Sequence, residues 1–486
     1  LQLYVEHTFA YRKHQAVWKH WSAITAREIK VLDARCRELG IDLVPNQNSF
    51  GHLREWLSQP QLRHLAEVTA PYESPTGDFL RRPSTLAPNH PGTLRFLREL
   101  YDELLPNFSS RYFNVGCDET WDLGLGRSKS ICKRFGKARV YLDFLKKIHR
   151  EVAARDRQMM FWGDIILHHP QLIHELPRDG VALNWGYEAD HPFERKAALF
   201  AKSKIPFYVC PGTSTWMTLI GRHDNAFANL RHAARAGLKY GARGYLITDW
   251  GDGGHPQPLA VSWLPMAYGA GQAWCGKTFS KAKLLKVLSR EVFGDGTETM
   301  VRVALALGFA HLKFGYKETN QTPFGATIAS PPPQEREMFC RNGLKYYSRI
   351  PLKNVRAALA LVELQVTKLN KFLSSDDARA GDRTLVLKTE LLLAARMAAE
   401  SCRIMLWQQT LAAGNKTAAK KMAAEGILRL KALDREFTAY WASRNKGTPR
   451  KCSPFLKWRI RDYQQGALHF PPETARFRHA KYYPAE

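Results

Sequence analysis

From its first residues the chain alternates short apolar runs with amphipathic stretches, a pattern that predicts repeated β/α units. LQLYVEH (1–7), IDLVPN (41–46), YFNVGC (112–117), QMMFWG (158–163), VALNWG (181–186), IPFYVC (205–210) and GYLITDW (244–250) read as seven strands. Helical periodicity runs over 25–40, near 91–105 and from about 137 to 155. Thr25 and Glu28 have capping-box spacing, and Gly40 fits a helix stop. Seven strands at this spacing suit an α/β fold of the (β/α)8 TIM-type barrel class that lacks its first strand. The natural place for the absent unit is ahead of Leu1. A doubly wound open sheet is disfavoured, because no GxGxxG follows the first strand and GLGR (124–127) is too short a match.

After about residue 275 the strand pattern stops. Ala, Leu, Lys and Arg recur at helical spacing, notably over 352–373, 384–411 and 416–442, with a Pro-rich break at SPPPQ (330–334). The pattern therefore divides the chain into a barrel over 1–275 and a helical C-terminal region over 276–486. Its apolar spacing drifts from strict heptads, which disfavours a coiled coil.

Composition adds little to this picture. The 486 residues, 45% hydrophobic and 24% charged, can bury a large core in two or three domains. Lys and Arg outnumber Asp and Glu 72 to 45, a net charge of +27 that fits an anionic partner or simply a basic surface. The cluster from Lys277 to Lys286 is interrupted and lacks the interleaved aromatics of a single-strand platform, so nucleic acid is not expected as a partner. The eight cysteines (36, 117, 132, 210, 275, 340, 402 and 452) form no CxxC pair, and Cys36, Cys117 and Cys210 lie in apolar runs. That argues against a disulfide framework and favours a reducing, cytoplasmic compartment. No apolar run approaches the roughly 18 residues that span a membrane. The chain opens at Leu1 inside a strand-like run, so a preceding segment, with any signal it carried, is expected to be absent.

Barrel chemistry sits at the C-terminal strand ends. Here those positions hold Glu6 and His7; Asn46 and Asn48; Asp118, Glu119 and Trp121; Trp162 and Asp164; Trp185 and Glu188; Tyr208; Asp249, Trp250 and Asp252. Carboxylates interleaved with aromatics suit a sugar ring, whose faces stack on indoles while its hydroxyls donate to carboxylates. The sharpest motif is NVGCDETW (114–121). Adjacent carboxylates after an apolar strand point in different directions and can divide the work: Glu119 as a protonated general acid, Asp118 ionised against a polar substrate group. His168-His169 and His174-Glu175 do not make HExxH, and Ser214 in GTSTW is not a GxSxG elbow. No metal and no cofactor are implied.

NVGCDET resembles the signature of glycoside hydrolase family 20, the β-N-acetylhexosaminidases of bacterial type, whose Asp-Glu pair ends the fourth barrel strand. With one strand absent, Asp118-Glu119 falls at the fourth. LYVEHTFAY (3–11), LVPNQNSFGH (43–52), FWGDI (161–165), NWGYE (184–188), YVCPGTSTW (208–216) and TDWGDGGH (248–255) are similar in the same order. The resemblance implies an exo-acting hydrolase that removes terminal β-linked N-acetylglucosamine or N-acetylgalactosamine from glycans. Its mechanism is retaining and substrate-assisted, through an oxazolinium intermediate. Asp118 would orient the acetamido group, and Glu119 would protonate the leaving oxygen and then activate water. Trp162, Trp185 and Trp250 would wall the pocket, Tyr208 would bond the acetamido oxygen, and Asp252 would hold sugar hydroxyls. His52 and Glu6 would support the carboxylates. Cys210 replaces the Asp that normally follows that Tyr by two. The family's first-strand Arg has no counterpart here, with Arg12 and Arg222 as candidate substitutes. Two rival readings are a catalytically impaired N-acetylhexosamine-binding protein and a basic protein docking on a polyanion.

Overall fold

The computed structural model describes residues 1–75, 79–331, 350–374 and 382–466. All seven expected strands form: β1 (Gln2–Tyr4), β2 (Val44–Asn46), β3 (Tyr112–Asn114), β4 (Gln158–Trp162), β5 (Val181–Trp185), β6 (Phe207–Cys210) and β7 (Gly244–Tyr245). They lie side by side in chain order, each parallel to the next. A parallel neighbour cannot be reached by a tight turn, so the chain returns through crossovers. These carry helices Ala26–Glu38, Pro91–Leu104, Lys137–Ala153, Phe193–Lys202 and His223–Tyr240. The first opens on the expected capping box: Thr25 accepts from the Glu28 backbone, and the Glu28 side chain accepts from the Thr25 N–H.

Period-two alternation sorts the side chains. Phe113, Met159, Phe161, Ala182, Phe207 and Val209 face outward into the helix-covered core. Val44, Tyr112, Met160, Trp162, Val181, Leu183, Trp185, Tyr208 and Cys210 cluster inside the curled sheet. Gln2 also reaches inward, where Asn114 Nδ2 donates to its Oε1 at 3.0 Å. β1 and β7 have no strand on their outer edges among the described residues. Both are only half-buried, whereas β2 is buried throughout. The sheet nonetheless curls far enough for the Tyr4 ring to meet Trp250 edge-on, with centroids 5.2 Å apart. This is a barrel one strand short.

Several strands end earlier than their apolar runs suggest. Residues 115–117 leave β3, with Gly116 and Cys117 at φ 67 and 70, and Glu119 follows at φ 48. These left-handed residues break the pleat and turn the next side chains over the mouth of the barrel.

The helical region packs helices Leu352–Ser374, Asp382–Ala412, Lys416–Arg444 and Phe455–Gln465. One apolar core joins Met217, Leu230, Leu264 and Tyr268 near the last strands to Leu391, Trp407, Phe437 and Trp458 of these helices. Polar bonds cross the same seam: the Ala260 N–H donates to Glu390 Oε2 at 2.8 Å, and Ser401 Oγ donates to the Phe324 carbonyl at 2.7 Å. No described helix is long and apolar enough to cross a membrane. Cys340 and residues 332–334 of the Pro-rich break lie outside the described residues; the other seven cysteines are unbridged.

Candidate active site

The turn after β3 presents the Asp-Glu pair. Its backbone is packed so tightly that two glycines are obligatory. A Cβ on Gly116 would stand 2.3 Å from Asn48 Oδ1, and one on Gly51 would stand 2.3 Å from the Asp118 carbonyl oxygen. Gly51 thus lets the SFGH loop press against the carboxylate turn, which delivers His52. His52 Nε2 lies 3.3 Å from both Asp118 Oδ2 and Glu119 Oε2. Burial alone would lower the affinity of His52 for its proton. The two carboxylates outweigh it and hold the imidazole well above its usual range. His52 Nε2 therefore bridges the pair. Asp118 Oδ1 is buried and has no protein hydrogen-bond partner among the described residues.

Glu6, at φ 43, closes the β1 side. The Tyr4 hydroxyl donates to Glu6 Oε2 at 3.4 Å and accepts from Asn48 Nδ2 at 2.7 Å. Burial would raise the Glu6 carboxyl, but His7, His52 and Arg54 pull it below its ordinary value. Asp252 enters from the loop after β7. Burial, and then the Glu119 charge, push it up to about 7. Asp164 is also raised, by burial and then by Asp118 and Glu119. Carboxylates so crowded cannot all ionise at neutral pH, which is the arrangement that supplies acid and base from one residue type.

Aromatic rings form the wall. Trp162 and Trp250 have centroids 6.0 Å apart, and Trp185 stacks on Tyr187 at 5.2 Å and 28°. The Tyr187 hydroxyl accepts from Trp250 Nε1 at 2.9 Å, and its ring meets Trp216 edge-on. Tyr187 is the residue the strand-end reading missed. It lies two beyond Trp185, so continuing the alternation 183, 185, 187 past the strand end would have found it.

The structure thus brings Asp118, Glu119, His52, Glu6, Trp162, Trp185, Trp250 and Asp252 to one mouth. Tyr208 is not among them. It is the second residue of β6, one inward position below Cys210, and its ring lies against Gly244, Tyr112 and the neighbourhood of Asp42. Tyr112 and Gly244 begin their strands and Asp42 precedes β2, so Tyr208 fills the N-terminal end of the barrel. Asp249 is engaged elsewhere, accepting from Thr213, Thr215 and Ser262 at 2.6, 2.8 and 3.0 Å. Arg12 is 89% exposed and pairs with Glu103, away from the mouth. Arg222 is buried, bonded to Glu188 and to the Glu318 carbonyl.

Comparison with known proteins finds the following similarities. Residues 5–230 match the model of the glycosyl hydrolase family 20 catalytic domain. Lacto-N-biosidase of Bifidobacterium bifidum is 25% identical over 175 residues, 34% of this chain and 15% of that protein. Hexosaminidase D of Bos taurus is 26% identical over 264 residues, 50% of this chain and 73% of that protein. The chain thus spans a small part of one relative and about three quarters of the other. Among solved structures, Flavobacterium johnsoniae chitobiase aligns over 87% of this chain and 68% of its own, at 15% identity and a TM-score of 0.47. The family match takes in the carboxylate pair, His52, Trp162, Trp185 and Tyr187, and stops before Trp250 and Asp252. Residues 5–230 are thus similar to the catalytic domain of glycosyl hydrolase family 20.

Proposed function

We propose that this protein is an exo-acting β-N-acetylhexosaminidase that releases terminal β-linked N-acetylglucosamine or N-acetylgalactosamine with retention. The observation that carries the reading is the unequal state of the paired carboxylates. Asp118 gives Oδ2 to His52 and keeps Oδ1 buried and unpartnered, an acceptor ready for an acetamido N–H. Glu119 lies beside it with its side chain 20% exposed, which leaves it open to a leaving oxygen entering the mouth.

The chemistry follows. The acetamido oxygen attacks the anomeric carbon, the bond to the leaving oxygen breaks, and Glu119 supplies the proton. Asp118, holding the nitrogen, offsets the positive charge of the oxazolinium ring. Water then attacks the anomeric carbon, gives its proton to Glu119 and reopens the acetamide. The nucleophile comes from the substrate, so no second protein carboxylate need face that carbon. Trp162, Trp185, Tyr187 and Trp250 would enclose the acetamido group and one sugar face, excluding water from the intermediate.

The test is release of nitrophenol from 4-nitrophenyl N-acetyl-β-glucosaminide by the wild type and by Glu119→Gln. The variant is expected to lose about 10²–10⁴-fold in kcat. The loss should be larger on N,N′-diacetylchitobiose, whose alcohol leaves poorly without a proton. The matching β-glucoside, lacking the acetamido group, should not be cleaved. Comparable turnover of the glucoside would overturn substrate assistance. A folded wild type that binds N-acetylglucosamine without turnover would establish the binding-protein reading instead.

A further inference from the structure

Asp164 has no step in the reaction just described, yet it touches both halves of the site. It opens the short helix Asp164–Leu167 directly after β4 and is buried. Its Oδ2 accepts the backbone N–H of Glu119 at 3.3 Å, and its Oδ1 accepts the indole N–H of Trp185 at 3.2 Å. Gly163 makes this placement possible. A Cβ there would stand 3.0 Å from the Phe200 ring and 3.3 Å from the Leu183 carbonyl, to which the Gly163 N–H donates at 2.9 Å. The chain must therefore hug β5, and Asp164 emerges beneath Glu119 and Trp185 together.

A carboxylate is an unfavourable choice for packing alone. It faces Asp118 and Glu119, with Lys196, Cys117 and Tyr141 also within electrostatic reach. Like charges in a buried setting disfavour ionisation. What Asp supplies that a neutral amide cannot is two acceptors for two converging donors. Asparagine would leave either the Glu119 N–H or the Trp185 indole facing an NH2 group. The Glu119 backbone also needs holding, because its φ of 48 is one that non-glycine residues avoid.

We propose that Asp164 is a positioning residue: it ties the backbone of Glu119 to the indole of Trp185, so that the acid/base carboxyl and the pocket wall keep one fixed relation. The inference rests on the hydrolase reading, and its test is built to separate the two.

The experiment compares wild type, Asp164→Asn, Trp185→Phe and the double variant, with unfolding midpoints recorded for each. Asp164→Asn is expected to lower kcat on 4-nitrophenyl N-acetyl-β-glucosaminide about 10–100-fold, the scale of a misplaced catalytic group. Asp164 is raised to about 7 and so carries its negative charge above that pH; removing that charge should ease ionisation of the acid there and move the basic limb of kcat/KM to lower pH. Trp185→Phe deletes one donor, so the single amide acceptor can then serve Glu119. The same Asp164→Asn change should therefore cost at least threefold less in that background, a coupling of the kind double-mutant cycles detect. Independently of turnover, [15N-indole]tryptophan labelling should show the Trp185 signal, assigned through Trp185→Phe, displaced in Asp164→Asn. An undisplaced indole signal, an equal cost in both backgrounds, or kcat and pH profile within twofold of wild type would each overturn the proposal. Absence of turnover in folded wild type would sink the hydrolase reading and the catalytic half of this one. The indole signal would still decide whether Asp164 anchors the wall.

Discussion

The molecule buries carboxylates in two places and treats them in opposite ways. In the helical region Glu390 and Glu400 are each 1% exposed and clasped by arginines. Arg444 holds Glu390, while Glu400 accepts from Arg429 Nε at 2.7 Å and from the Tyr463 hydroxyl at 3.1 Å, with Arg403 at 3.5 Å. At the barrel mouth Asp164 and Asp252 sit among other carboxylates, and no arginine bond to either is seen among the described residues. The first arrangement offsets part of the cost of a buried charge, although burial still lifts Glu400 above its ordinary range; the second adds like charges to burial and lifts Asp164 and Asp252 to about 7. The side-chain chemistry is shared, so the surroundings alone separate scaffold from site.

Three changes probe that contrast, in order of expected effect. Arg429→Ala strips the closest cation from Glu400 and should destabilise the fold by about 2–3 kcal/mol, read as a lower urea midpoint. Turnover per folded molecule should stay within twofold. A large loss of kcat would show that the helical pairs belong to the site after all.

Asp252→Asn tests the opposite treatment. The folded protein keeps a proton on Asp252 up to about pH 7, whereas an unfolded aspartate releases it near 4. Between those values the native state binds the extra proton, so stability from this group is lost as pH rises. From pH 5 to pH 8 the variant should therefore gain on wild type, by about 1–2 kcal/mol once partial solvent exposure is discounted. An unchanged difference across that window would mean that Asp252 ionises normally.

Lys446→Ala removes a bond between the two regions, in which Nζ donates to Glu28 Oε2 at 2.7 Å and to the Ala23 carbonyl at 2.8 Å. Both side chains of the pair are nearly half exposed. The loss should be under about 1 kcal/mol and should shrink further in 0.5 M salt. A loss the size of the Arg429→Ala effect would show that exposure does not set the value of these pairs.

Much of the architecture was legible because barrel strands and amphipathic helices write their periods directly into the sequence. Helices expected over 137–155 and 416–442 form over Lys137–Ala153 and Lys416–Arg444. The candidate site was legible where carboxylates or indoles end apolar strand runs, as at Asp118-Glu119 and Trp162. It was less legible where depth mattered. Tyr208 and Cys210 share the inward face, and only the observed end of β6 at Cys210 shows that Tyr208 lies a full inward position below the mouth. Tyr187 escaped because the strand had already ended, and Asp164, although noted at a strand end, showed no sign of its two bonds.

The sequence by itself determined the order of seven parallel strands, the helices between them and the segments that carry carboxylates and indoles. Those follow from local hydrophobic period and need no partner to be read. Only the tertiary structure decided that His52 bridges Asp118 and Glu119, that Asp164 lies under both Glu119 and Trp185, and that Glu400 meets arginines while Asp252 meets carboxylates. Each depends on close approach between segments far apart in the chain, permitted at Gly51, Gly116 and Gly163. Electrostatic environment is a property of such approaches, because charge, burial and hydrogen bonding act through distances that no single stretch of sequence contains.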